Sequence, residues 1–247
     1  MNRWCNKVAV VTGASSGIGA SIAQELVKYG MKVIGLDIRA DDKQDGNFCI
    51  RTCDIAKEED VIQSFNWVKL NFGGVDVLVN CAGILNRTTM LTEPDNSAIL
   101  KKILDINVMG LCYCTREAFN SMKDRNVAGH IIHINSLYGH AISTIHNTPP
   151  TMNMYPASKY AITALTELLR QELMYLKNKT KVTSISPGVV RTNILSGLMT
   201  KEEETAFFNN TPHLMPEDVS QAIVYCMSTP ENVQVHELTL RPIYDQF

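Results

Sequence analysis

A tyrosine and a lysine four residues apart, in Tyr155-Pro156-Ala157-Ser158-Lys159, carry the clearest chemical signal in the chain. On a helix that spacing puts both side chains on one face, where they can share one reacting group. A phenol with its ordinary pKa of about 10 is a poor base at neutral pH, and a neighbouring ammonium is expected to lower it. The pair is expected to move a proton. Upstream, Thr12-Gly13-Ala14-Ser15-Ser16-Gly17-Ile18-Gly19 follows the apolar run Val8-Ala9-Val10-Val11 and precedes a helical pattern. Glycines there permit a tight turn and let a pyrophosphate approach backbone N–H groups at a helix start. Residues Gly13, Ser15, Ser16, Gly17, Ile18 and Gly19 are therefore expected to hold a phosphate-bearing cofactor. Asp37 ends the second predicted strand, where a carboxylate can accept hydrogen bonds from the adenosine ribose and repel the extra phosphate of NADP. This favours NAD, with NADP kept as the alternative because Arg39 stands two residues on.

These groups need a scaffold, and the hydrophobic pattern supplies one. Strand-like runs at 7–12, 32–37, 48–52, 75–79, 130–135, 181–186 and 235–240 alternate with helical patterns at 18–29, 57–72, 98–123, 155–176 and 217–228. Short β-branched runs separated by amphipathic helices predict one α/β domain over residues 1–247, a Rossmann-like doubly wound parallel sheet with helices on both faces. Residues 38–47 are too few and too polar for a full crossover helix. The stretch 193–210 mixes apolar and charged residues as a substrate lid would.

The 247 residues, 45% hydrophobic with a formal charge of -2, can bury a large core and show no basic block for nucleic acid. Seven cysteines lack metal-ligand spacing, so no metal is expected and a reducing, cytoplasmic setting fits best. No run reaches the roughly 18 apolar residues of a membrane span.

The glycine turn, Ser136, the Tyr155/Lys159 pair and the Pro187-Gly188 segment, in that order, resemble the short-chain dehydrogenase/reductase family over essentially the whole chain. Arg3-Trp4, the block His133-Ile134-Asn135-Ser136 and the tail from Val235 to Pro242 further resemble insect farnesol dehydrogenases and the vertebrate member 11 of the family. The resemblance implies a catalytic tetrad of Asn107, Ser136, Tyr155 and Lys159. Tyr155 would exchange the substrate proton, Ser136 would hydrogen-bond the substrate oxygen, and Lys159 would lower the phenol's pKa and bind the nicotinamide ribose. Asn107 would hold a water linked to Lys159. It also implies that Asp54 and Ile55 meet the adenine. Asn80-Cys81-Ala82-Gly83 would lie under the ribose, with Cys81 in place of a second asparagine. Pro187, Gly188, Val190 and Thr192 would orient the nicotinamide.

Leu91, Leu137, Ile142, Met154, Leu195 and Leu198 are candidates for an apolar substrate wall, while His140, His146 and His213 are read as loop-shaping. The implied activity is hydride transfer between a nicotinamide cofactor and a lipophilic alcohol, such as farnesol oxidised to farnesal. A hydroxysteroid and its ketone are the alternative. A different class, a nicotinamide-binding regulatory protein with little turnover, is opposed by the intact tetrad. A homodimer or homotetramer is also implied.

Overall fold

The computed structural model describes the chain except residues 90–92, 94, 143–151, 197, 246 and 247. Alternation within the first strand, β1 (Val8–Thr12), sets up two cores. Ala9 and Val11 face one side with Ile22 and Leu26 of α1 (Gly17–Lys28), while Val8 and Val10 face the other with Val61, Phe65 and Val68 of α2 (Glu58–Phe72). A strand covered on both faces must be apolar throughout, and all five residues of β1 are buried. The same division runs through β2 (Lys32–Asp37), β5 (Val77–Asn80) and β6 (His130–Ile134), while β7 (Lys181–Pro187) gives Ile185 to the first core. α2 ends where Gly73 adopts φ +82, a conformation that suits glycine at a helix stop.

Among the described residues the sheet runs β3-β4-β2-β1-β5-β6-β7-β8, where β3 is Lys43–Asp45, β4 is Phe48–Thr52 and β8 is Glu237–Leu240. Every pairing is parallel except β3 with β4. The strand order reverses direction between β1 and β5, which opens a crevice at their carboxyl ends.

The short 38–47 connection holds no helix. It places β3 antiparallel on the outer edge of β4 and turns back at Gly46, φ +56. A second difference lies at 98–123, expected as one helix. The structure has α3 (Ser97–Leu104), a π-helical stretch (Asp105–Gly110) and α4 (Leu111–Asp124). Asn107 sits within the π stretch, and its side chain bonds to another segment. The long helix α5 (Met154–Tyr175) carries the Tyr/Lys pair, and α7 (Pro216–Ser228) packs against α1. The proposed lid begins with a short 3-10 turn at Asn193–Leu195, followed by α6 (Lys201–Asn210) with a Thr200/Glu203 capping box.

Candidate active site

The glycine turn leaves β1 toward the crevice. Gly13 and Gly17 hold φ +70 and +53, and a Cβ on Gly19 would lie 2.2 Å from the Gly13 carbonyl oxygen. Side chains are therefore excluded where the backbone folds most tightly. Asp37 is 8% exposed at the end of β2 and accepts backbone N–H bonds from Ser15 at 3.1 Å and Arg39 at 2.9 Å. One cleft brings together Gly13, Ser16, Gly17, Ile18 and Gly19 with Asp37, Asp54 and Ile55. Ala82, Gly83 and Thr192 complete it on the other side.

Two of the expected cofactor residues are not part of this lining. Ser15 is outside that lining, serving instead through its N–H to Asp37. Asn80 is buried below the cleft, where its Nδ2 donates to Thr115 Oγ1 at 2.9 Å. Thr12 Oγ1 accepts the N–H groups of Cys81 and Ala82, both at 3.0 Å, so β1 itself fixes the turn after β5. Burial pushes the Cys81 thiol up to about 12.

This cleft continues into a second cavity of about 870 Å³ through the shared residues Ile18, Cys81, Gly83, Thr192 and Ile194. Its floor holds Ser136, Tyr155 and Lys159, all buried, with Pro187, Gly188 and Val190 along one side. β6 positions Ser136, whose Oγ accepts the Tyr138 N–H at 3.1 Å and caps the 3-10 turn Leu137–Gly139. Lys159 Nζ donates to the Ile134 carbonyl at 2.9 Å and stands 5.6 Å from the centre of the Tyr155 ring. Asn107 is 2% exposed; its Oδ1 accepts from Ile84 N at 2.8 Å and its Nδ2 donates to Ile84 O and Ser158 Oγ, both at 3.0 Å. The side-chain amide is thus committed to a structural tie between α5 and the chain after β5. Any water held by this residue falls to its backbone.

The electrostatics correct one expectation. Burial drives the Tyr155 phenol up to about 12, opposed by a hydrogen bond with Ser136, so without cofactor the lysine does not lower it. Lys159 is itself pulled down to about 8 by burial.

Of the candidate wall residues, Leu137 and Leu195 line the cavity, whereas Ile142 is 65% exposed and Met154 and Leu198 are not among its lining. Leu91 and His146 lie outside the described residues. Phe207, on α6 in the stretch expected as a lid, lines it too, and sequence reasoning missed Leu85, Tyr138, Met152, Tyr244 and Asp245, which also line it. They come from separate loops and from the tail, and no local spacing marks them. His140 is held at a loop start by Ser186 Oγ at 3.0 Å, and His213 Nδ1 contacts the Thr211 carbonyl at 2.9 Å.

The cleft fits a dinucleotide on its own geometry: a side-chain-free turn at a helix start, a carboxylate at the next strand end, and an opening into the Ser/Tyr/Lys floor. Residues 7–203 match the short chain dehydrogenase family. The chain is 48% identical to the farnesol dehydrogenase of Aedes aegypti, with both sequences covered in full. It is 40% identical to mouse dehydrogenase/reductase SDR family member 11, with 98% of this chain and 96% of that one covered. Its fold superposes on serine dehydrogenase in complex with NADP+ with a TM-score of 0.85, at 27% identity over 97% of this chain and 96% of that one. The chain belongs to the short-chain dehydrogenases, NAD(P)-dependent oxidoreductases acting on alcohol groups.

Proposed function

We propose that this protein oxidises a lipophilic alcohol to its carbonyl compound, using NAD in preference to NADP, with farnesol as the first candidate substrate. The observation that carries the reading is the 870 Å³ cavity walled by Leu85, Leu137, Leu195 and Phe207 above the buried Ser136, Tyr155 and Lys159. A volume of this size suits a ligand with a long hydrocarbon body. Whole-length similarity to a farnesol dehydrogenase supports the same substrate class.

Gly13, Gly17, Gly19, Asp37, Asp54 and Ile55 would hold the adenosine half of the cofactor, with Pro187, Gly188, Val190 and Thr192 beside the nicotinamide. The bound cofactor supplies the hydride acceptor. Ser136 Oγ orients the substrate oxygen and stabilises negative charge on it. Tyr155 takes the hydroxyl proton at its phenolic oxygen, and in the reverse direction returns it. A phenol held near 12 stays protonated and gives up its proton reluctantly, so to act as a base, as the phenolate, it would need the Lys159 ammonium to lower it. The support for NAD is Asp37: its carboxylate is fixed by two backbone N–H groups and faces the cleft. An additional phosphate there would meet like charge.

A hydroxysteroid is the second reading, favoured by Asn210 and Thr211, which give the cavity wall polar groups that a second steroid oxygen could use. All seven cysteines are free, which supports a reducing, cytoplasmic setting, and among the described residues no helix is long and apolar enough to cross a membrane. Exposed Tyr160, Leu168 and Met174 on α5 support self-association as a dimer or tetramer.

Initial rates of reduced nicotinamide formation with farnesol, run with NAD and NADP, test this reading. Turnover with NAD well above that with NADP is expected. Turnover with a hydroxysteroid alone would move the second reading forward, and none with either class would reject the proposal.

A further inference from the structure

Beyond β8 the chain turns back across the active site. The Asp245 N–H donates to the Pro242 carbonyl at 3.2 Å, and Arg241 Nε donates to Asp245 Oδ2 at 3.0 Å. Gly188 records how closely this tail packs. A Cβ there would lie 3.0 Å from Pro242 Cδ, 3.3 Å from Leu137 Cδ1 and 3.6 Å from Asp245 Oδ2. Asp245 thus stands on the wall of the same cavity whose floor holds Ser136. Its side chain is 11% exposed, against 44% for Arg241. Asp245 lines the cavity and Arg241 lies outside that lining. Among the described lining residues the other charged side chain is Lys159, which is drawn to the Ile134 carbonyl in the floor. A ligand in the cavity therefore meets a carboxylate whose counter-ion lies behind it.

We infer that Asp245 is a specificity-determining residue: it makes the cavity select neutral lipophilic ligands and reject those that carry a carboxylate. The inference rests on the reading of this cavity as a lipophilic-alcohol site. An anionic ligand would lose hydration on entering largely apolar walls and would face like charge at Asp245. A hydroxyl or amide N–H loses far less and can donate to the same carboxylate. A cavity of this kind admits an alcohol and its aldehyde but discriminates against the acid of the same hydrocarbon skeleton.

Calorimetric titration of the cofactor-saturated protein with decanamide and with decanoate, at about pH 8 where decanoate is the anion, tests the inference. The neutral probe is expected to bind roughly tenfold more tightly than the anion. Asp245→Asn should close most of that gap, and Arg241→Gln, which strips the carboxylate of its counter-ion, should widen it. Equal affinity in the unsubstituted protein, or a gap that persists in Asp245→Asn, would overturn the inference while leaving the alcohol reading standing. Failure of both probes to bind would reject the lipophilic cavity and the inference with it.

Discussion

Asn107 Nδ2 donates to Ser158 Oγ at 3.0 Å, and Ser158 Oγ donates in turn to the Tyr155 carbonyl at 2.7 Å. The π-helical stretch is thereby tied to α5 at the residue before Lys159, one turn along from Tyr155. The same asparagine grips both backbone groups of Ile84, so α5 and the chain following β5 share one buried anchor. Cofactor cleft and catalytic helix are held in register by hydrogen bonds rather than by packing alone.

Replacing Ser158 with Ala removes that tie without touching the reacting groups. The expected result is a fall in kcat of roughly tenfold, from the loss of the bonds to Asn107 and to the Tyr155 carbonyl, with cofactor affinity largely kept. Steady-state kinetics beside a cofactor titration would check it, and an unchanged kcat would show that the tie does not position the phenol.

Lys159 should cost the cofactor-free fold stability near neutral pH. Its folded pKa of about 8 lies below the ordinary 10.5, so between those values the unfolded chain binds more protons and stability rises with pH. Lys159→Met is expected to stabilise the cofactor-free protein by about 1–2 kcal/mol at pH 7, the gain vanishing as pH approaches about 10.5, while turnover is lost. Thermal melting across pH reads this directly. A variant that melts lower throughout would show that the bond to Ile134 outweighs the buried charge.

Two interior histidines predict acid sensitivity. His130 and His133 are each about 1% exposed, and burial holds both near a pKa of about 3. Their folded values lie below the unfolded 6.5, so stability falls as pH drops between those limits. The slope is expected to approach about 1.4 kcal/mol per histidine per pH unit. Denaturant midpoints from about pH 6.5 to 5 should decline, and His133→Gln should remove about half of the slope. Midpoints that stay flat in that window would contradict the assignment.

The Tyr155/Lys159 pairing and the glycine turn that lines the cleft were legible in the sequence because each rests on local spacing: Tyr155 to Lys159 along one helix, Gly13 to Gly19 around one turn. The doubly wound sheet was legible because residues such as Val8 to Val11 must be apolar to be covered on both faces. What escaped depends on contacts distant in sequence. The π stretch at Asp105–Gly110 interrupts a good helical pattern around Asn107, which grips Ile84. β3 is three exposed polar residues with no periodicity, paired only because β4 lies beside it. Asp245 reaches the cavity through a turn after β8, and the raised Tyr155 pKa reflects burial that adjacency to a lysine does not reveal.

Cofactor choice should follow Asp37. Asp37→Ser removes the carboxylate that faces the cleft and weakens the support of the Ser15 and Arg39 N–H groups. The expected outcome is a KM for NAD raised roughly tenfold and a KM for NADP lowered, read from initial rates. An unchanged preference would place the discriminating contact elsewhere, with Arg39 the next residue to vary.

The most direct test of the account is Tyr155→Phe assayed with farnesol and NAD beside the unsubstituted protein, with cofactor binding followed by fluorescence. The prediction is a loss of turnover of roughly 10²–10⁴-fold with cofactor affinity largely retained, because the phenolic oxygen carries the proton while the ring still fills the floor. Turnover that survives the substitution would contradict the assignment of Tyr155 as the proton-transfer group.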